Sequence, residues 1–163
     1  MKIGLAIEQT AKAEQDLAER LWAAGERHKA DHDVFHLTKT LAKLSEEHVE
    51  KLAPHAERYD ASIERQVSKD AGRSRPLAAT IEKGAELTGR RPEPALLLLR
   101  DLRDLHLRAT EASIDWVALG QGAQAAKDSD LLETVGACHA ETLRTLKWTT
   151  YRIKTAAPQA LTS

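Results

Sequence analysis

Four separate stretches of the chain carry apolar residues at the 3.6-residue period of an α-helix, each long enough for several turns. The first spans residues 3–29, with a stripe of Ile7, Thr10/Ala11, Leu17/Ala18, Leu21 and Ala24/Gly25. The second spans 33–59, with Val34, Leu37, Leu41, Leu44/Ser45 and Leu52. The third spans 94–123, with Leu98/Leu99, Leu102, Leu105, Ala109, Ala112/Ser113, Trp116 and Leu119/Gly120. The fourth spans 128–155, with Leu132, Val135, Cys138, Thr142, Leu146, Thr149 and Ile153. Each stripe must be buried against another, so the chain is expected to be all-α.

Connection lengths suggest the arrangement. Only a few residues separate the first helix from the second, and the third from the fourth, which predicts two antiparallel helical hairpins. Asp31 and Asp33 supply capping chemistry to the second helix, and Asp130 with Glu133 stands at capping-box spacing in the fourth. Pro54 is expected to kink or end the second helix, and Pro158 to close the helix-forming region. A connection of roughly thirty residues joins the hairpins, long enough to need packing of its own. Within it, residues 76–88 read as a short helix, with Pro76 in its first turn and Gly89 just past its end. Because each long helix measures roughly 40 Å at 1.5 Å per residue, a connection crossing that length sets the third helix parallel to the second. The expected architecture is an antiparallel four-helix bundle with a long crossover, one domain over residues 1–163.

Charge excludes several partners. The chain has 24 basic and 25 acidic residues, a formal net charge of -1, and no polybasic segment. Nucleic acid and anionic membranes are therefore not expected partners. No apolar run approaches a membrane span, and the start of the chain lacks the apolar core of a secretory leader. A lone cysteine, Cys138, excludes an intrachain disulfide, so a cytoplasmic setting is expected. There is no phosphate-binding glycine loop, no nucleophile elbow and no His-Glu-x-x-His.

Each stripe is interrupted by one group that does not belong in an apolar core: Glu14, His48, His106 and His139. A charge or imidazole there is destabilising by several kcal/mol unless it has partners. In the crossover arrangement the four lie within about one and a half turns of the same height. Small residues gather at that level, including Ala18, Ser45, Ala109, Ser113, Gly136 and Ala137. Glycine in mid-helix is less stable than alanine by ~0.5–1 kcal/mol, so Gly136 implies room for an imidazole or ligand, or a close helix contact.

With these positions the chain resembles the ferritin-like superfamily, over roughly residues 3–59 and 93–155. Di-iron members of that family carry a lone Glu on two helices and Glu-x-x-His on the other two. Glu14 falls at the place of the first lone Glu, and Ser45-Glu46-Glu47-His48 at the first motif. His106 falls at the second lone Glu, and Gly136-Ala137-Cys138-His139 at the second motif. Ser45 and Gly136 thus replace both bridging carboxylates, and His106 replaces a third. What the resemblance implies is the fold and, instead of a di-iron centre, a single divalent ion such as Fe²⁺ or Zn²⁺ held by one carboxylate and three imidazoles.

The remaining candidates read as structure. His28, His32 and His36 are spaced by four, but they straddle the expected turn at Asp31-His32-Asp33 and read as solvated surface. His55, following Pro54, reads as a helix-end residue, and Cys138 as small core packing. Trp22 and Trp148 fall at stripe edges, where they suit a subunit interface. The consecutive leucines Leu96–Leu99 wrap around their helix and require cover from the crossover or a second subunit. Two functional readings follow. One is a bundle binding a metal ion or small ligand at mid-height. The alternative is a non-enzymatic scaffold with a vestigial site, acting as a homo-oligomer, with a dimer as the simplest state.

Overall fold

The structure, a computed structural model, describes residues 2–64 and 93–162. They form four helices: α1 (Ile3–Arg27), α2 (His32–Arg58), α3 (Pro94–Ala125) and α4 (Ser129–Thr162), with no strand among the described residues. None of these helices is long and apolar enough to cross a membrane. The short helix expected at 76–88 lies outside the described residues.

Local chemistry sets the helix ends. Asp31 caps α2, its Oδ1 accepting the Val34 N–H at 3.1 Å. Pro94 sits in the first turn of α3, where its missing N–H leaves no bond unmade. The residue capping α4 is Asp128 and not Asp130: its Oδ1 accepts the Leu131 N–H at 3.0 Å. Asp128 also receives the Tyr59 hydroxyl and the Arg58 guanidinium, both at 2.8 Å, tying the end of α2 to the start of α4. Neither proline stops its helix. Pro54 lies four residues before the end of α2, and α4 continues through Pro158 to Thr162. Both sit in a last turn or so, where the bond a proline removes is one of few still to be made.

The predicted stripes of α1 and α3 are the buried faces, from Ile7 to Gly25 and from Leu102 to Gly120. The other two helices are rotated slightly from expectation. In α2 Thr38 is buried and Leu37 is 38% exposed; in α4 Leu131 is buried and Leu132 is 40% exposed. Leu96 is exposed and Leu97–Leu99 are half-buried, so the leucine run is not part of the deep core. Two apolar clusters fill the interior. One gathers Ile7, Leu52, Trp116, Leu119 and Leu131; the other gathers Leu17, Leu21, Leu41, Leu105 and Ala109.

Specific contacts show which helix ends meet. A side chain at Gly4 would strike Tyr59, and one at Gly25 would strike Thr38. Arg27 reaches Asp101, Gln9 reaches Asp115, and Arg152 reaches Asp31. Residues 61–64 turn back along α1, with Ser62 N–H on Glu8 Oε1 and the Glu64 carbonyl on Gln15 Nε2.

Candidate functional site

The two apolar clusters meet at a polar layer built around Glu14. Its place on the core stripe of α1 leaves it 0% exposed. Oε1 accepts hydrogen bonds from Trp116 Nε1 at 2.6 Å and from Thr142 Oγ1 at 2.7 Å. His48 Nδ1 stands 3.2 Å from the same oxygen; this is an ion-pair contact whose alignment falls short of a hydrogen bond. On its other side, His48 Nε2 lies 2.7 Å from Glu141 Oε2. The edge of the His48 ring also meets Trp116, with centroids 5.9 Å apart and planes at 88°. All four helices therefore contribute: Glu14 from α1, His48 from α2, Trp116 from α3, and Glu141 and Thr142 from α4. The second carboxylate oxygen, Glu14 Oε2, is buried with no hydrogen-bond partner.

The charge state follows from the neighbours. Burial alone raises the Glu14 carboxyl, but His48, Thr142 and Trp116 together outweigh it and hold the group below its ordinary value. Burial likewise lowers His48, yet the carboxylates of Glu14 and Glu141 prevail and raise it. The layer thus places the His48 imidazole between the carboxyl groups of Glu14 and Glu141 and runs from the closed core to the partly exposed Glu141.

The other two candidate ligands have different partners. His106 Nδ1 pairs with Thr149 Oγ1 at 2.9 Å, and the Thr149 hydroxyl also lies within reach of the Thr145 and Leu146 carbonyls. His139 Nε2 pairs with Ser113 Oγ at 2.8 Å, and burial lowers its pKa despite the opposing field of Glu14. Of Glu14, His48, His106 and His139, the structure joins the first two directly and gives the others hydroxyl partners. Among the described residues, no three His, Cys, Asp or Glu side chains are grouped so that they could hold a metal ion. His48 Nε2 is engaged by Glu141, and its Nδ1 lies 3.2 Å from Glu14 without the alignment of a hydrogen bond.

Other expectations change. Gly136 makes room for nothing: it is exposed, and a Cβ built there meets no atom within 4 Å. His55 does lie in the last turn of α2, and it is buried there, with Nε2 on Thr134 Oγ1 at 2.9 Å and Nδ1 facing the Arg58 guanidinium at 2.8 Å. His28 is half-buried, with Nε2 2.8 Å from Asp101 Oδ2. Burial raises the Asp101 carboxyl, but His28 and Arg27 more than offset this and lower it. His32 and His36 both lie on α2, which begins at His32, so no turn separates them.

The sequence reading assigned Trp116 to packing, and Glu141 was not a candidate. A usable signal was present. A buried carboxylate must find donors, and Trp116 and Thr142 are among the residues on facing stripes that can donate near the height of Glu14.

No protein-family model matches this chain, and neither a curated protein nor a solved structure matches it.

Proposed function

We propose that this chain is a non-catalytic helical scaffold that self-associates through the outer face of α3 and α4. Its architecture in this reading is a ferritin-like antiparallel bundle of two hairpins, α1–α2 and α3–α4, with the 60–93 connection crossing between them. The meeting of Gly4 with Tyr59 and Gly25 with Thr38, and of His106 with Thr149 and Ser113 with His139, supports that order. A cytoplasmic setting fits the single unpaired Cys138.

The observation that carries the reading is a run of exposed apolar side chains. On α3, Leu107 is 47%, Ile114 62% and Val117 51% exposed; on α4, Leu132 is 40% and Leu143 39% exposed. Leu107, Ile114 and Val117 recur at helix-face spacing over about 15 Å of α3. Scattered surface leucines need no explanation, but a stripe of this kind marks an interaction surface. By contrast, the polar groups inside are largely spent on one another, which suits a structural role. Sedimentation velocity of the wild-type chain should give a dimer that becomes monomeric in Leu107→Glu/Ile114→Glu with helix content unchanged. A wild-type monomer across a wide concentration range would refute the reading.

One observation favours a second reading, a mid-bundle metal site: the buried, unpartnered Glu14 Oε2. That reading requires His106 and His139 to leave Thr149 and Ser113. It predicts near-stoichiometric iron or zinc in protein from supplemented medium, lost in Glu14→Ala/His48→Ala. Metal-free protein from the same medium would end it.

A further inference from the structure

We infer that His32 and His36 form a bidentate surface site for a divalent transition-metal ion that prefers imidazole, such as Cu²⁺, Ni²⁺ or Zn²⁺. The site is independent of the scaffold reading and of the mid-bundle layer. Because α2 begins at His32, the two imidazoles occupy positions i and i+4 of one continuous helix, on the same face. Their Nε2 atoms stand 3.1 Å apart, with ring centroids 4.2 Å apart and planes tilted by 55°. Both residues are exposed, so a hydrated ion can reach them without any rearrangement of the core.

The 3.1 Å separation is the informative quantity. With metal–nitrogen bonds of about 2.0–2.1 Å, two nitrogens that far apart subtend roughly 95–102° at a shared ion. That angle falls between the right angle of square-planar or octahedral sites and the tetrahedral angle, so either geometry closes without moving the backbone. Without an ion, the contact is a hydrogen bond from one ring N–H to the other ring's lone pair. To offer both Nε2 lone pairs to a divalent ion, the donating ring shifts its one proton from Nε2 to Nδ1, so each neutral ring ends protonated at Nδ1 and no proton is lost.

Surroundings decide which ions qualify. The pair lines an open groove of about 410 Å³ between α2 and α4, where Trp148, Tyr151 and Arg152 form the opposite wall. The groove leaves space for the water or anion needed to complete coordination. Two features oppose a cation. One is the positive end of the α2 dipole, and the other is the Arg152 charge. The first is countered by Asp33 in the first turn, and the second by the 2.6 Å ion pair of Arg152 with Asp31. Hard cations that need oxygen cages find none here, whereas borderline ions bound through nitrogen do, with Cu²⁺ the strongest by the general affinity order.

The test is calorimetric titration of tag-free full-length protein with Cu²⁺, Ni²⁺ and Zn²⁺, using His32→Ala, His36→Ala and His28→Ala. Wild type and His28→Ala should bind one ion per chain with equal affinity. Each of the other two should bind more weakly than wild type by more than the roughly 10- to 100-fold that loss of an outer-sphere partner costs. The Cu²⁺ spectrum of the wild-type complex should show coupling to two nitrogens, falling to one in either variant. His32→Ala and His36→Ala should keep wild-type helix content, since both side chains are exposed. Equal binding by wild type and His32→Ala, or a copper spectrum unchanged by both substitutions, would overturn the assignment.

Discussion

Replacing Glu14 by alanine removes a carboxylate that accepts from α3 and α4 and contacts His48 on α2. Trp116 Nε1 then has no partner, and His48 loses the carboxylate 3.2 Å from Nδ1. Thr142 fares better, because its hydroxyl also lies 3.3 Å from the Cys138 carbonyl. Each buried group left without a partner costs about 1–3 kcal/mol, and breaking a buried ion pair from one side costs about 3–5 kcal/mol. The expected loss is therefore about 3–5 kcal/mol, which for a chain of this size lowers Tm by roughly 6–20 °C. Glu14→Gln should cost less, since its amide oxygen can still accept from Trp116 and Thr142. The double variant Glu14→Ala/His48→Ala should cost clearly less than the sum of the singles, because it removes the stranded imidazole too. The pH dependence has a definite sign. Glu14 titrates below its ordinary value of 4.5 when folded, so its contribution is present above that value and lost as pH falls through the folded one. His48 titrates above its ordinary value of 6.5 when folded, so its contribution is complete below that value and lost as pH rises through the folded one. The penalty of Glu14→Gln should therefore be largest between about pH 4.5 and 6.5 and shrink on both sides. Chemical denaturation across that range measures it. A Glu14→Ala protein within about 1 kcal/mol of wild type, or a penalty independent of pH, would refute the network as drawn.

Gly136→Ala should raise stability by about 0.5–1 kcal/mol in thermal melts, because the new methyl meets nothing and the helix gains a better former. Gly25→Ala should do the opposite: its Cβ would approach within the contact distance of Thr38 Oγ1, and overpacking of ~1–3 kcal/mol exceeds the propensity gain. In a Thr38→Ala background the same change should become neutral or stabilising, which a double-mutant cycle reads directly. Cys138 is fully buried, and burial pushes its thiol up to about 11, so a thiol reagent at neutral pH should label it only as fast as the chain opens. Rapid labelling of the native protein would contradict that placement.

The hydrophobic period carried most of the helical information. The ends of α1, α2 and α3 fall within two or three residues of those expected, because Asp31, Pro94 and the stripes act locally. Pro158 misled, since a proline is disruptive in proportion to the helix that must continue past it, and this one lies near the end of α4. Rotation was less accessible. Choosing Leu132 over Leu131 for the core was a matter of one position, and the adjacent Leu pair offers the same side chain at either. Glu14 and His48 could be picked out because both break an apolar stripe. That His106 and His139 would satisfy themselves on Thr149 and Ser113 could not, since that depends on the facing helix and not on their own. His32 and His36 were set aside for a turn that the structure places earlier, with Asp31 as the cap.

The position of the layer between two leucine-rich clusters gives it a task that the clusters cannot perform. Leucines recur every turn, so apolar contacts alone are nearly as well satisfied after one helix slides past another by a turn. Such a slide displaces Trp116 Nε1 or Thr142 Oγ1 by about 5.4 Å, well beyond hydrogen-bond reach of Glu14. It would leave the buried Glu14 without its donors, and a slide of α4 would also take Glu141 away from His48, so ionisable groups would be buried without partners. The native register is therefore separated from its neighbours by the full energy of the network, although the network itself adds little to stability over a well-packed apolar layer of the same volume. That difference can be measured. An apolar replacement such as Glu14→Met/His48→Leu should stay folded and be less destabilised than Glu14→Ala, but lose uniqueness, with broadened amide resonances in α3 and α4. Sharp, single-state spectra in that variant would mean that the leucine clusters fix the register unaided.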